Sequence, residues 1–241
     1  MKNKIAAVIL GAGKGTRMKS DKPKVLMPVC GKPMITHIIE TLQTVPVDKI
    51  VTVISPEGQD VAKTVAPYET CVQDKQLGTG HAVNCAKEAM KGFDGTVLVV
   101  FGDTPLIKAE TFRRAAEKVE DGFSVVVLGF RPKDAGRYGR LVMNGQELER
   151  IVEYKDADEE ERAITFCNSG VMAFDGKHLF EILAQIGNNN AAGEFYLTDA
   201  VETARKMGLK CSAFEGDAEE VASANTLEEL AQLEFYYRKA N

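Results

Sequence analysis

The chain opens on Ile5-Ala6-Ala7-Val8-Ile9-Leu10, which runs straight into Gly11-Ala12-Gly13-Lys14-Gly15-Thr16-Arg17-Met18. Six consecutive apolar residues, half of them β-branched, read as a strand buried on both faces, the habit of a parallel sheet. Three alternating glycines then let the backbone turn tightly and approach a ligand without side-chain obstruction. Successive backbone N–H groups in such a turn can cradle phosphate. Two familiar templates fail, because both the dinucleotide fingerprint GxGxxG and the P-loop GxxxxGK[ST] need glycine where Thr16 stands.

Outward from this turn, short Val- and Ile-rich runs alternate with helix-period segments. Strands are expected at 5–10, 49–54, 69–73 and 96–101, and helices at 34–45, 57–66, 81–92 and 109–120. This rhythm predicts an α/β fold, an open and mostly parallel sheet with helices on both faces. Such sheets bind ligands beyond the carboxyl ends of their strands. After about residue 121 the pattern changes. Strands at 123–130, 139–144, 147–155 and 163–174 follow one another, with Asn144-Gly145 as a hairpin signal. Helices at 176–186, 197–207 and 226–240 and a strand at 209–214 complete the chain. The expectation is one domain: an alternating α/β half at 1–120, a half at 121–225 in which strands follow one another, and a closing helix at 226–241.

The composition excludes several classes. The 241 residues carry a net charge of −5, which argues against electrostatic binding of nucleic acid. The five cysteines are odd in number and form no CxxC, so neither a disulfide framework nor a zinc cluster is suggested. Apolar runs are far short of a membrane span, and the N-terminal segment fails as a signal peptide. A cytoplasmic protein with no membrane or nucleic-acid partner is expected.

Four further stretches could carry chemistry. Pro23-Lys24-Val25-Leu26-Met27-Pro28-Val29-Cys30-Gly31-Lys32-Pro33-Met34 follows the glycine turn. With Arg17, Lys24 supplies cations of the kind a pyrophosphate leaving group needs. Gln73-Asp74-Lys75-Gln76-Leu77-Gly78-Thr79-Gly80-His81 offers a primary amide, which both donates and accepts and so suits a pyrimidine edge. Phe101-Gly102-Asp103-Thr104-Pro105 places a carboxylate at a strand's C-terminal end, either as a metal ligand or as a turn cap. Glu220-Val221-Ala222-Ser223-Ala224-Asn225-Thr226 precedes the last helix, and Thr226 with Glu229 reads as a capping box.

Together, the stretch from Leu10 to Met34 closely resembles the signature of the sugar-nucleotide pyrophosphorylases. The later segments are similar to those of the bacterial N-acetylglucosamine-1-phosphate uridyltransferases, over residues 4 to about 238. That resemblance implies the nucleotide-diphospho-sugar transferase fold, a Rossmann-like mixed sheet with a small β-rich sugar-binding insertion. It implies UTP and a sugar 1-phosphate as substrates and Mg²⁺ as cofactor. It implies catalytic roles for Arg17 and Lys24, and nucleotide contacts from Leu10, Gly11, Gly13, Gly15, Gln73, Gly78 and Thr79. Metal ligation falls to Asp103 and Asn225. The segments Tyr138-Gly139-Arg140, Ile151-Val152-Glu153-Tyr154-Lys155, Asn168-Ser169-Gly170 and Gly193-Glu194-Phe195-Tyr196-Leu197-Thr198 likewise imply a sugar pocket of Gly139, Glu153, Asn168, Tyr196 and Thr198. One departure is Gly11, where the family usually carries alanine. Another is the lack of the hexapeptide β-helix repeats of the bifunctional enzymes, without which a monomer is the expectation.

Overall fold

The computed structural model describes residues 4–13 and 22–240. Strand β1 (Ile5–Leu10) is buried throughout, and its alternation feeds both layers of the core. Ala6, Val8 and Leu10 enter one apolar cluster, while Ile5, Ala7 and Ile9 enter the other. A short 3-10 helix (Lys24–Leu26) follows, then a small ribbon of β2 (Pro28–Val29) and β3 (Lys32–Pro33). Its turn uses Cys30 and Gly31, both at positive φ. None of these three pieces is visible as a hydrophobic period, because each is too short to have one.

Helix α1 (Met34–Gln43) buries Met34, Ile35, Ile38, Ile39 and Leu42 as one stripe. Then come β4 (Val47–Ile54), α2 (Gln59–Val65), β5 (Glu69–Val72), α3 (Thr79–Cys85), β6 (Thr96–Phe101) and α4 (Ala109–Glu120). The helix expected at 81–92 starts at Thr79 and ends at Cys85. Beyond it Ala86 and Lys87 donate to Val83 and Asn84, three residues back, so the α pattern is lost to turns.

The second half contains β7 (Val125–Phe130), β8 (Arg140–Asn144), β9 (Glu147–Val152), α5 (Glu159–Ala163), β10 (Cys167–Asp175), α6 (Gly176–Leu183), α7 (Asp199–Lys206), β11 (Cys211–Glu215) and α8 (Leu227–Ala240). Gly145, at φ 61°, makes the expected hairpin turn between β8 and β9. The strand expected at 147–155 stops at Val152, because the Glu153 carbonyl accepts from Asp156 and Ala157 and turns the chain. The strand expected from residue 163 begins at Cys167. Its first residues are taken by α5, which Asp158 and Glu161 close with a reciprocal capping box.

The nine strands other than the ribbon form a single sheet, in the order β5-β4-β1-β6-β10-β7-β11-β9-β8. All but β9 and β10 run in one direction. The reversed β10 is wedged between β6 and β7 and joins the two halves edge to edge. The β-rich second half is therefore continuous with the main sheet rather than a separate layer. Among the described residues no helix is long and apolar enough to cross a membrane.

Candidate active site

The carboxyl ends of β1 and β6 lie side by side and set the floor of the site. Gly102 N–H donates to the Leu10 carbonyl at 2.9 Å, and Gly11 N–H donates to Val53 at 2.8 Å. At Gly11 an alanine methyl would stand 3.2 Å from the Val53 oxygen, so glycine relieves a tight approach to β4. Directly beyond these ends is a cavity of about 270 Å³, lined by Leu10, Gly13, Lys24, Gln73, Gly78, Thr79 and Asp103 among others. Seven of the residues expected at the catalytic, nucleotide and metal sites are thus gathered there, from segments spread over some ninety positions. Gly15 and Arg17 lie outside the described residues.

Lys24 stands on the 3-10 helix, and its ammonium forms an ion pair with Asp103. It also donates to Asn225 Oδ1 at 2.7 Å. Both groups are largely shielded from solvent. The far end of the chain reaches this point through a small apolar cluster. Val29 of β2, Met34, Leu233 of α8 and Ala224 are all buried together, which seats Asn225 opposite the lysine. Two oxygens, one carboxylate and one amide, therefore converge on a single cationic position. That donor set suits Mg²⁺, which takes one or two protein oxygens and completes its shell with water and substrate phosphates. The expected capping box before α8 is only half formed. Thr226 Oγ1 accepts from Glu229 N–H, but the Glu229 carboxylate accepts from Asn225 N–H instead of from Thr226. The box that would have finished the helix thus fixes the backbone of Asn225.

Gln73 is 4% exposed, and its amide NH₂ contacts the Gly78 carbonyl and His81 Nδ1, both at 3.1 Å. Gly78 has φ 114°, and a Cβ there would overlap the Phe195 backbone at 2.5 Å. Only glycine lets the loop pass so close. The contact is zipped on both sides, since Phe195 N–H donates to Leu77 and Gly80 N–H donates to Phe195. Leu197 N–H closes the seam on Thr79 Oγ1 at 3.0 Å.

Across this seam lies a second cavity of about 540 Å³, lined by Thr79, Arg137, Glu153, Tyr154, Lys155, Ala192, Glu194 and Tyr196. Thr79 and Glu194 line both cavities, so the two form one cleft. Glu153 accepts from Thr198 Oγ1 at 3.0 Å. Burial pushes its carboxyl above the usual range, the Thr198 bond opposes that, and Asp156 adds to it. Burial likewise raises Tyr196, with help from Asp156 and Glu153.

Three of the expected sugar residues stand behind this wall rather than on it. Thr198 holds Glu153, and Gly139 lies beside it, where a Cβ would press on Ile151 Cγ2 at 3.2 Å. Asn168 turns its amide oxygen back to Gly170 N–H at 2.9 Å. Sequence reasoning passed over Glu194, and over Gln76, whose amide donates to the Ala12 carbonyl and ties the loop before α3 to the segment after β1. Both lie inside stretches that had already been singled out, and neither residue type is distinctive alone.

A profile of the MobA-like NTP transferase domain matches residues 7–189. The chain belongs to that family. This nucleotidyltransferase is 56% identical to the bifunctional protein GlmU of Rhodospirillum rubrum over 234 residues, which covers 96% of this chain and 52% of that protein. It is 47% identical to the bifunctional protein GlmU of Paramagnetospirillum magneticum, with the same coverage. The nucleotidyltransferase spans about half the length of the curated relatives it matches. Its fold is shared with a solved structure described as a glucose-1-phosphate thymidylyltransferase from Bacillus anthracis. The TM-score is 0.79 at 21% identity, covering 98% of this chain and 96% of the other. A UDP-glucose pyrophosphorylase complexed with UDP-glucose gives a TM-score of 0.75 at 18% identity, covering 99% and 100%. At those identities the likeness is one of fold.

Proposed function

We propose that the chain transfers a uridylyl group from UTP to N-acetylglucosamine 1-phosphate, giving UDP-N-acetylglucosamine and pyrophosphate. The observation that carries this reading is the meeting of Asp103 and Asn225 at Lys24, beside the cavity that Lys24 and Asp103 line together with Gln73, Gly78 and Thr79. A phosphate oxygen of the sugar phosphate attacks the α-phosphorus of UTP, a new O–P bond forms, and the bond to pyrophosphate breaks in line. The attacking oxygen is already ionised at neutral pH, so no general base is needed. The protein's part is positioning and charge neutralisation.

The glycine-rich stretch is of the composition that cradles a triphosphate with backbone N–H groups, and Lys24, with Arg17, offsets the charge that builds on the leaving group. When bound to Asp103 and Asn225, Mg²⁺ supplies a template for the phosphates and Lewis-acid stabilisation. Gln73 and the Gly78-Thr79 backbone read the uracil edge. Glu153, held by Thr198, and Tyr196 meet the sugar hydroxyls and acetamido group, and half-buried partners of this kind disfavour analogues that lack them. The test is a pyrophosphate-release assay over a matrix of sugar 1-phosphates and nucleoside triphosphates. Strongest turnover with UTP and N-acetylglucosamine 1-phosphate supports the assignment. A preference for glucose 1-phosphate or dTTP reassigns the substrates, and no release with any pair refutes the chemistry.

A further inference from the structure

Glu220 lies in neither cavity, yet it is only 4% exposed. A carboxylate so deeply buried is costly unless it is well bonded. Its Oε1 accepts from the backbone N–H of Lys108 and from Thr111 Oγ1, both at 2.7 Å. These donors belong to the start of α4. Lys108 is the residue before that helix, and its own side chain makes no capping bond. Glu220 therefore caps α4 from about a hundred residues away, where a local Ser, Thr or Asp would normally serve.

The placement has a geometric consequence. Lys108 follows Asp103 by five positions, and Asn225 follows Glu220 by the same five. The two segments leave this clamp and meet again at the Lys24 ammonium. Each is stiffened on the way. Thr104 N–H and Oγ1 both bond to the Phe101 carbonyl, Val221 and Ala224 are buried, and Glu220 N–H donates to Asp217. The clamp and the site are two rungs of one ladder.

We infer that Glu220 is a positioning residue, which sets the separation of Asp103 and Asn225 by tying the Asn225 segment to the N-terminal end of α4. This rests on the proposed metal-assisted reaction. Outer-shell groups that orient ligands are typically worth about 10–100-fold in metal affinity. A local helix cap with no further role would affect stability alone.

The test is Mn²⁺ affinity of the full chain, read by water-proton relaxation enhancement, beside the Mg²⁺ dependence of turnover. Glu220→Ala is expected to weaken Mn²⁺ binding by about tenfold and to raise the Mg²⁺ needed for half-maximal rate, with little change in kcat at saturating Mg²⁺. Glu220→Gln keeps an acceptor oxygen at the same place and is expected to restore both. Thr111→Val removes one of the two bonds, is isosteric, and carries the test should Glu220→Ala fail to fold. Its expected effect is in the same direction and smaller. Asp103→Ala is the control. If it loses Mn²⁺ while folded Glu220 and Thr111 variants keep wild-type affinity, the clamp is overturned and the metal reading stands. If Asp103→Ala itself keeps Mn²⁺, the metal reading falls and the clamp's role with it.

Discussion

The two ends of the cleft are built on opposite electrostatic plans. At the end under β1 and β6, formal charges meet directly: an ammonium, a carboxylate and an amide oxygen share one point. At the far end, just past β9, a half-buried carboxyl is held by a hydroxyl, and its charge is disfavoured by burial and by Asp156. The first arrangement suits chemistry in which charge moves between phosphates. The second suits recognition of neutral hydroxyls and amides, where hydrogen bonds discriminate and a strong field would not.

If this contrast is right, substitutions at the two ends should fail in different ways. The largest effect is expected from Asp103→Ala, a loss of turnover of about 10³-fold, with retained binding of the sugar phosphate; near wild-type rates would erase the distinction. Lys24→Ala is expected to cost roughly 2–4 kcal/mol of transition-state stabilisation, read as a fall in kcat more than a rise in KM. At the other end, Thr198→Val should act mainly on the KM of the sugar phosphate, by about tenfold or less, because Glu153 then loses its holder. A fall in kcat with unchanged KM would place Thr198 in the charged plan instead. Gln73→Ala should reduce the preference for UTP over other triphosphates by a similar factor, and unaltered base selectivity would remove it from the reading loop.

The smallest effect concerns Asp199, the first residue of α7, whose carboxyl is pushed up to about 6, chiefly by burial and then by Glu202, Glu153 and Asp156. Its native value lies above the ordinary 3.8, so the neutral form supports the fold. That support is complete below about pH 3.8 and is lost as pH rises through about 6. Asp199→Asn should therefore melt higher than the parent at pH 7.5, by about 2–4 °C for each kcal/mol recovered. The two should converge near pH 4. A gain of equal size at both pH values would mean that charge is not the cause.

These contrasts also mark what the sequence could and could not disclose. β1, β6 and α4 are legible to the residue, because a buried apolar run and an amphipathic stripe are local patterns. The motifs named Lys24, Asp103 and Asn225 separately. Their union depends on Val29 packing on Ala224 and Leu233, a contact across some two hundred residues with no periodic trace. The stretch 147–155 reads as one strand. It ends at Val152 in a turn, which no propensity announces, and Glu153 is left half-buried and bonded to Thr198. Thr226 and Glu229 are a correct capping signature that the fold diverted, sending the carboxylate to Asn225.

The seam between Leu77–Gly80 and Phe195–Leu197 has a thermodynamic consequence. These two bonded backbone segments form the partition between both cavities, so a ligand that orders it from either side lowers the entropy still to be lost by a ligand arriving on the other. Linkage requires that benefit to be reciprocal: of the proposed substrates, UTP must sharpen the affinity for the sugar phosphate by the same factor with which the sugar phosphate sharpens that for UTP. Calorimetric titration of each, with a non-hydrolysable UTP analogue, measures that factor directly. A value of one would mean that the partition is already rigid, and that the two ends of the cleft, though they share a wall, fill independently.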